Sequence, residues 1–147
     1  MRGRAGAFWL ALAALLLLAG GAALYVRLAP SDPARWNVDL FSPDMGNIPI
    51  GSVFVAGRSP ADLLADLDRI ALSTPRTVRL AGSPAEGRIT WITRSAFWGF
   101  PDYTTAAAID RGGVTELAIY ARQRFGRKDF GVNAARVKDW LTRLSAP

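Results

Sequence analysis

The sequence predicts an α+β fold: an N-terminal transmembrane helix, then a two-layer sandwich of a mainly antiparallel, four- to five-stranded sheet with two helices on one face. Three observations predict it. From Ala5 to Val26 there are 22 consecutive residues without a charge. Apolar residues recur at helical spacing in two separated segments, after Ser59 and again before the C-terminus. Between them the period shortens to that of strands, with turn residues at fairly even spacing.

The uncharged run comes first. As a helix it would extend roughly 33 Å, enough to cross a hydrocarbon core of about 30 Å. Trp9 and Tyr25 stand near its ends, where amphipathic rings favour the membrane interface. A cleavable signal peptide is the competing reading, because Arg2 and Arg4 form a basic start and Gly20 to Ala23 offers small residues for cleavage. The apolar core of a signal peptide is typically about 7 to 15 residues, so the longer run favours an uncleaved anchor contacting membrane lipid through residues 5–26. Arg2, Arg4 and the terminal amine precede the span and Arg27 and Arg35 follow it, a small bias toward a cytoplasmic N-terminus and an external body.

The domains follow as residues 1–28 for the anchor, 29–52 for a Pro-rich linker and 53–147 for a small α+β domain. The linker assignment rests on Pro30, Pro33, Pro43 and Pro49 among small polar residues. Trp36, Val38, Leu40 and Phe41 are poorly suited to open water, so part of this segment is expected either on the body or on the membrane, the alternative being a disordered stalk.

Val53 to Ala56 predicts a strand. Ser59 then suits an N-cap, Pro60 the first helical position and Asp62 the first turn, so a helix begins there. Leu63, Leu67, Ile70 and Ala71 share one face, and Thr74-Pro75 ends the helix. Strands are predicted at Thr77 to Ala81, Arg88 to Ser95, Tyr103 to Ile109 and Thr115 to Phe125. Their connections are too short for parallel crossovers. In the last strand Leu117, Ile119 and Ala121 alternate with Glu116, Ala118, Tyr120 and Arg122, the pattern of a sheet with one solvated face. Val137, Trp140, Leu141 and Leu144 make a final amphipathic helix, with Gly131 or Asn133 as its cap.

Composition removes several function classes. The chain has neither cysteine nor histidine, which excludes disulfides, thiolate nucleophiles, the usual zinc sites and a Ser-His-Asp triad; no cofactor and no metal is expected. The net charge of +6 falls to +3 once Arg2, Arg4 and Arg27 at the span are set aside. So weak a basic balance beside a bilayer suits anionic head groups or envelope polymers better than nucleic acid, which is not expected as a partner.

With these elements placed, the successions TRSAFWGFPDY (Thr93 to Tyr103) and ARQRFGRKDFGVNAARVKDWL (Ala121 to Leu141) resemble the bacterial domain-of-unknown-function family 1499. The resemblance covers the body from about residue 50 to the end. It implies a small envelope or membrane-associated protein and carries no established activity. With the orientation above, it places the chain in a bacterial inner membrane as a single-pass protein with a periplasmic C-terminal domain. Arg94, Gly99, Phe100, Pro101, Asp102, Arg124, Gly126, Asp129, Gly131, Asn133 and Arg136 match. Tyr103 stands where an acidic residue is usual, and Tyr120, Ala121 and Gln123 where an arginine and serines are usual, which counts against a shared polar active site.

The matching residues suggest a structural clasp. The carboxylate of Asp102 is expected to pair with Arg94 or Arg124 on neighbouring strands, and Asp129 and Asn133 to tie the preceding loop to the last helix, with Arg136 completing the set. A sharper reading is an anion-binding turn, because Arg124, Arg127 and Lys128 approach the N-terminus of the final helix; a phosphate, lipid head group or carboxylate would fit, as would an envelope protein partner. An enzyme would have to use carboxylates, with Asp102 and Asp129 as the acid and base of a hydrolase, and this is the minority reading. Lastly, Phe97, Trp98 and Phe100 crowd one hairpin tip, destined either for the end of the core or, if exposed, for a membrane or partner contact; the exposure of Trp98 decides.

Overall fold

The computed structural model describes residues 2–46, 51–126 and 129–146. Helix α1 spans Arg2–Leu28, and a single turn, α2, covers Pro33–Trp36. Then come strand β1 (Gly51–Ala56), helix α3 (Pro60–Ser73), strands β2 (Thr77–Ser83), β3 (Arg88–Arg94), β4 (Pro101–Asp110) and β5 (Val114–Gln123), and helix α4 (Val132–Leu144). The five strands form one antiparallel sheet in the order β1-β5-β4-β3-β2. The α+β architecture read from the sequence is therefore the one the chain adopts.

Helix α3 starts as its sequence dictates, with the Ser59 hydroxyl accepting from the amide of Asp62 at 3.1 Å and Pro60 in the first turn. Its buried face, Leu63, Leu64, Leu67 and Ala71, meets Ile89 and Trp91 of β3, Ala106 and Ala108 of β4, and Leu117 and Ile119 of β5. Trp140 of α4 completes this layer, fully buried, with its ring edge-on to Trp91 at 5.5 Å. Its indole N–H donates to the Thr74 hydroxyl at 2.9 Å, so the polar edge of a core residue is satisfied at the end of α3. Asp68 is also buried in this layer. It accepts from the Trp91 indole at 2.8 Å and pairs with the Arg79 guanidinium, joining α3 to β2 and β3.

The second face of the sheet is covered across its middle, contrary to the alternation in β5, and stays exposed at its edges, at Phe54 of β1 and Val78 of β2. Residues 29–46, composed like a linker, lie across it. Trp36 stacks on Tyr103 with ring centroids 3.7 Å apart and planes 5° from parallel, beside Ile92. Leu40 packs on Ala107 and Ala118, with Val38 and Phe41 alongside. Polar groups fix the register of this cover: Thr105 donates to the Trp36 carbonyl at 3.1 Å, Thr90 to the Asn37 side chain at 2.9 Å, and Ser31 and Tyr103 share a hydrogen bond of 2.6 Å. Apolar side chains in a proline-rich stretch found an apolar strip to cover, which composition alone does not reveal.

The stretch Gly6–Leu28 of α1 is long and apolar enough to cross a membrane or to act as a signal sequence, and none of its most apolar stretch is buried against the body. Among the described residues, its C-terminal end carries the side-chain contacts with the domain. Tyr25 meets the ring of Phe125 edge-on at 6.2 Å, and Arg27 donates to the carbonyl of Phe97 at 2.8 Å.

Candidate functional site

The matching residues gather at one end of the sheet, where β4 begins, β5 ends and α4 starts. Asp102 is the second residue of β4 and lies directly opposite Thr93 of β3 and Gln123 of β5. Residues directly opposite in a sheet share a face, so Asp102 points to the helix layer. Arg94 and Arg124 lie one residue beyond those partners and point the other way. The expected pairing of Asp102 with either arginine is therefore corrected. Arg94 donates to the carbonyl of Gly99 at 3.0 Å and holds the hairpin tip, while Arg124 donates to the Pro30 carbonyl at 2.7 Å and holds the N-terminal cover.

The partner Asp102 does find is Arg136 of α4, whose guanidinium lies 3.7 Å from a carboxylate oxygen. Both side chains are largely buried. Arg136 also donates to the side-chain oxygen of Asn133, one turn earlier on the same helix face, and Asn133 is itself buried. Asp129 lies just outside the helix. Its two carboxylate oxygens accept from the amides of Gly131 at 3.1 Å and Asn133 at 3.2 Å, so it supplies the cap that Gly131, a residue in left-handed conformation with no side chain, cannot. Asp129 and Asn133 thus tie the loop to the last helix, and the set joins β4, loop and α4.

The electrostatics follow from these positions. Burial pushes the Asp102 carboxyl above the usual carboxylate range; Arg136 opposes this and the nearby charge of Asp129 adds to it. Burial likewise lowers Arg136, with both aspartates opposing. Asp129 moves the other way, held below the usual range by the Gly131 amide and then by the Asn133 side chain. Both carboxylates line one open cleft of about 690 Å³, walled by Trp98, Phe100, Phe125 and Phe130. The cleft is therefore apolar on its sides with two acids in its lining. Arg127 and Lys128, central to the anion-binding reading, lie outside the described residues. The exposed ends of the α4 amides that such an anion would use are occupied by the carboxylate of Asp129.

Arg122 and Tyr103 have structural roles that the sequence reading missed. Arg122 is half-buried, sits over the Trp36 ring at 5.0 Å and donates to the Trp36 carbonyl. Burial lowers its pKa. Tyr103, a departure from the family pattern, supplies the surface on which Trp36 stacks. Trp36 itself is the signal for both, since a tryptophan in a proline-rich segment needs a partner.

The hairpin tip resolves the question about its aromatics. Phe97 is 75% exposed and Trp98 54%, so neither belongs to the core.

No curated protein matches the chain. A family model does, over residues 29–144. The match reaches further toward the N-terminus than the motif resemblance, and it starts where α1 ends and the cover of the second face begins. By that match over most of its length, the chain belongs to the family described as protein of unknown function (DUF1499).

Proposed function

We propose that this protein is a membrane-anchored, non-catalytic module of the bacterial envelope, in which the Gly99 to Arg136 stretch is a structural clasp presenting a binding surface outside the cytoplasm. The observation that carries this reading is the interlock of Asp102, Arg136, Asn133 and Asp129, whose charged and polar groups chiefly engage one another and the α4 backbone. Residues 1–28 serve as the anchor, and residues 29–46, through Trp36, join it to the domain. An anionic ligand at the turn formed by Arg124, Arg127 and Lys128 has less support, because Asp129 already occupies the helix terminus and Arg124 is engaged by Pro30.

One observation favours the second reading, a carboxylate-dependent hydrolase: Asp102 and Asp129 line a common cleft and their pKa values are driven apart, as acid and base assignments require. Against it, Asp102 is paired with an arginine that would have to release it.

The anchored, external reading is tested in cells. The intact mass of the mature protein should include residues 1–23, and a C-terminal phosphatase fusion should be active where a fluorescent-protein fusion is dark. A mature chain lacking residues 1–23, or a fluorescent fusion that folds while the phosphatase stays inactive, contradicts it.

A further inference from the structure

We infer that the aromatic end of the sheet, Phe97, Trp98, Phe100, Phe125 and Phe130, is a bilayer-docking surface that inserts into the head-group region of the same membrane α1 crosses. The inference rests on the anchored reading above.

Tyr25 sets the depth of this end. It lies three residues from the end of α1, about 4.5 Å along the axis, at the depth where an aromatic ring favours the boundary between hydrocarbon and head groups. Phe125 touches it, centroid to centroid 6.2 Å. From Phe125 the aromatic contacts continue to Phe100 at 6.2 Å, to Trp98 at 6.4 Å and to Phe97 at 4.9 Å. An unbroken run of ring contacts thus leads from the interface residue of the span to the hairpin tip, and Phe130 lines the same cleft as Trp98, Phe100 and Phe125. Arg27, the first charge after the span, fixes the tip directly through the carbonyls of Phe97 and Trp98. The domain cannot lift this end away from the bilayer without breaking those contacts.

The rings are exposed where a water-facing surface would not keep them. Phe97 is 75% exposed and Phe130 92%, and Val132 beside them is 55% exposed. A contiguous apolar patch of this kind marks an interaction surface, and its continuity with the span identifies the bilayer as the occupant. Arg27, Arg76 and Arg94 line an adjoining cleft, positioned for lipid phosphates.

The test uses the full chain in vesicles of phosphatidylcholine and phosphatidylglycerol. Because the sequence has no cysteine, single-cysteine variants take a spin label without background. Leu17→Cys reports on the span. Phe97→Cys and Phe130→Cys report on the patch. Ala85→Cys reports on the far end of the sheet, an exposed position roughly 30 Å away along β4. Collision with oxygen is compared with collision with a water-soluble nickel chelate. The expected result is a several-fold higher oxygen-to-nickel ratio at Phe97 and Phe130 than at Ala85, with Leu17 higher still. Ratios at Phe97 and Phe130 equal to that at Ala85, with Leu17 in the hydrocarbon, overturn docking and leave the anchor intact. Dipolar broadening between labels at Phe97 in separate chains, with no rise in the oxygen ratio, assigns the patch to a second copy and also overturns it. A water-exposed Leu17 removes the anchored reading and the inference together.

Discussion

On the helix-covered face of the sheet, Leu63, Leu64 and Leu67 meet Trp91, Leu117 and Trp140 in a layer held by apolar burial, with the buried Asp68 bridged within it. On the other face the cover is a short proline-rich segment, and Trp36 is held by stacking on Tyr103, by the Arg122 guanidinium and by a hydrogen bond from Thr105. The first face is continuous with two full helices and stands or falls with the fold. The second is a strap of few residues fixed at separate points, so it can open locally while the sheet persists. The difference separates what makes the domain fold from what ties the domain to α1.

The contrast can be broken on the first face and probed on the second. Trp140→Ala should have the largest effect, a loss of about 3–5 kcal/mol in chemical denaturation of the full chain in detergent, because it opens a large cavity between α3, α4 and the sheet. Trp36→Ala should cost about 2 kcal/mol, the scale of one large buried side chain. Its signature should be local: hydrogen exchange should rise across residues 29–46 and not across β3 to β5. Exchange rising equally in both would show that the two faces form one cooperative unit.

The smallest effect is expected at the helix cap. Asp129→Ala should lower stability at neutral pH by about 1 kcal/mol, the usual cost of replacing a capping side chain by alanine. The sign of its pH dependence follows from the lowered pKa. The stability Asp129 contributes is present above the unfolded carboxyl value of about 3.9 and is lost as pH falls through its lower folded value. Asp102 runs oppositely, because its raised pKa makes its contribution less favourable as pH rises above that same unfolded value. The variant should therefore lose less stability than the wild type between pH 4 and the acid limit, as read from thermal melts. An unchanged acid limb would remove Asp129 from the capping role.

Most of the first face was legible in the sequence, because periodicity is a direct readout of which side chains share a surface. The Ser59 cap, Pro60, the Leu63, Leu67 and Ala71 stripe and the Trp140 face all sit as read. The end of β5 was overrun, since Arg124 and Phe125 continue an apolar-looking pattern beyond the last ladder pair at Gln123. Asp102, Asp129, Asn133 and Arg136 were named from the sequence, but so were Arg94 and Arg124, which face the other way, and the pairing was misread. Asp102 was assigned to Arg94 or Arg124 because they are neighbours along adjacent strands, but a one-residue offset in register reverses the face, and only the antiparallel ladder reveals that offset. Packing of residues 29–46 on the body was one of the readings that Trp36, Val38, Leu40 and Phe41 offered, but its place on the sheet was hidden for another reason. Proline and turn residues dominate its composition, whereas its packing depends on Trp36 and Leu40, two side chains without a period.

The central claim is that Asp102 and Arg136 are partners in a clasp. The measurement that tests it most directly is a double-mutant cycle in the full chain, Asp102→Asn, Arg136→Gln and the pair, with stability read by chemical denaturation at neutral pH. Partnership predicts that the effects of the two substitutions are strongly non-additive, with a coupling of about 1–3 kcal/mol as expected for neighbours in one buried network. Additive effects with no coupling would contradict it.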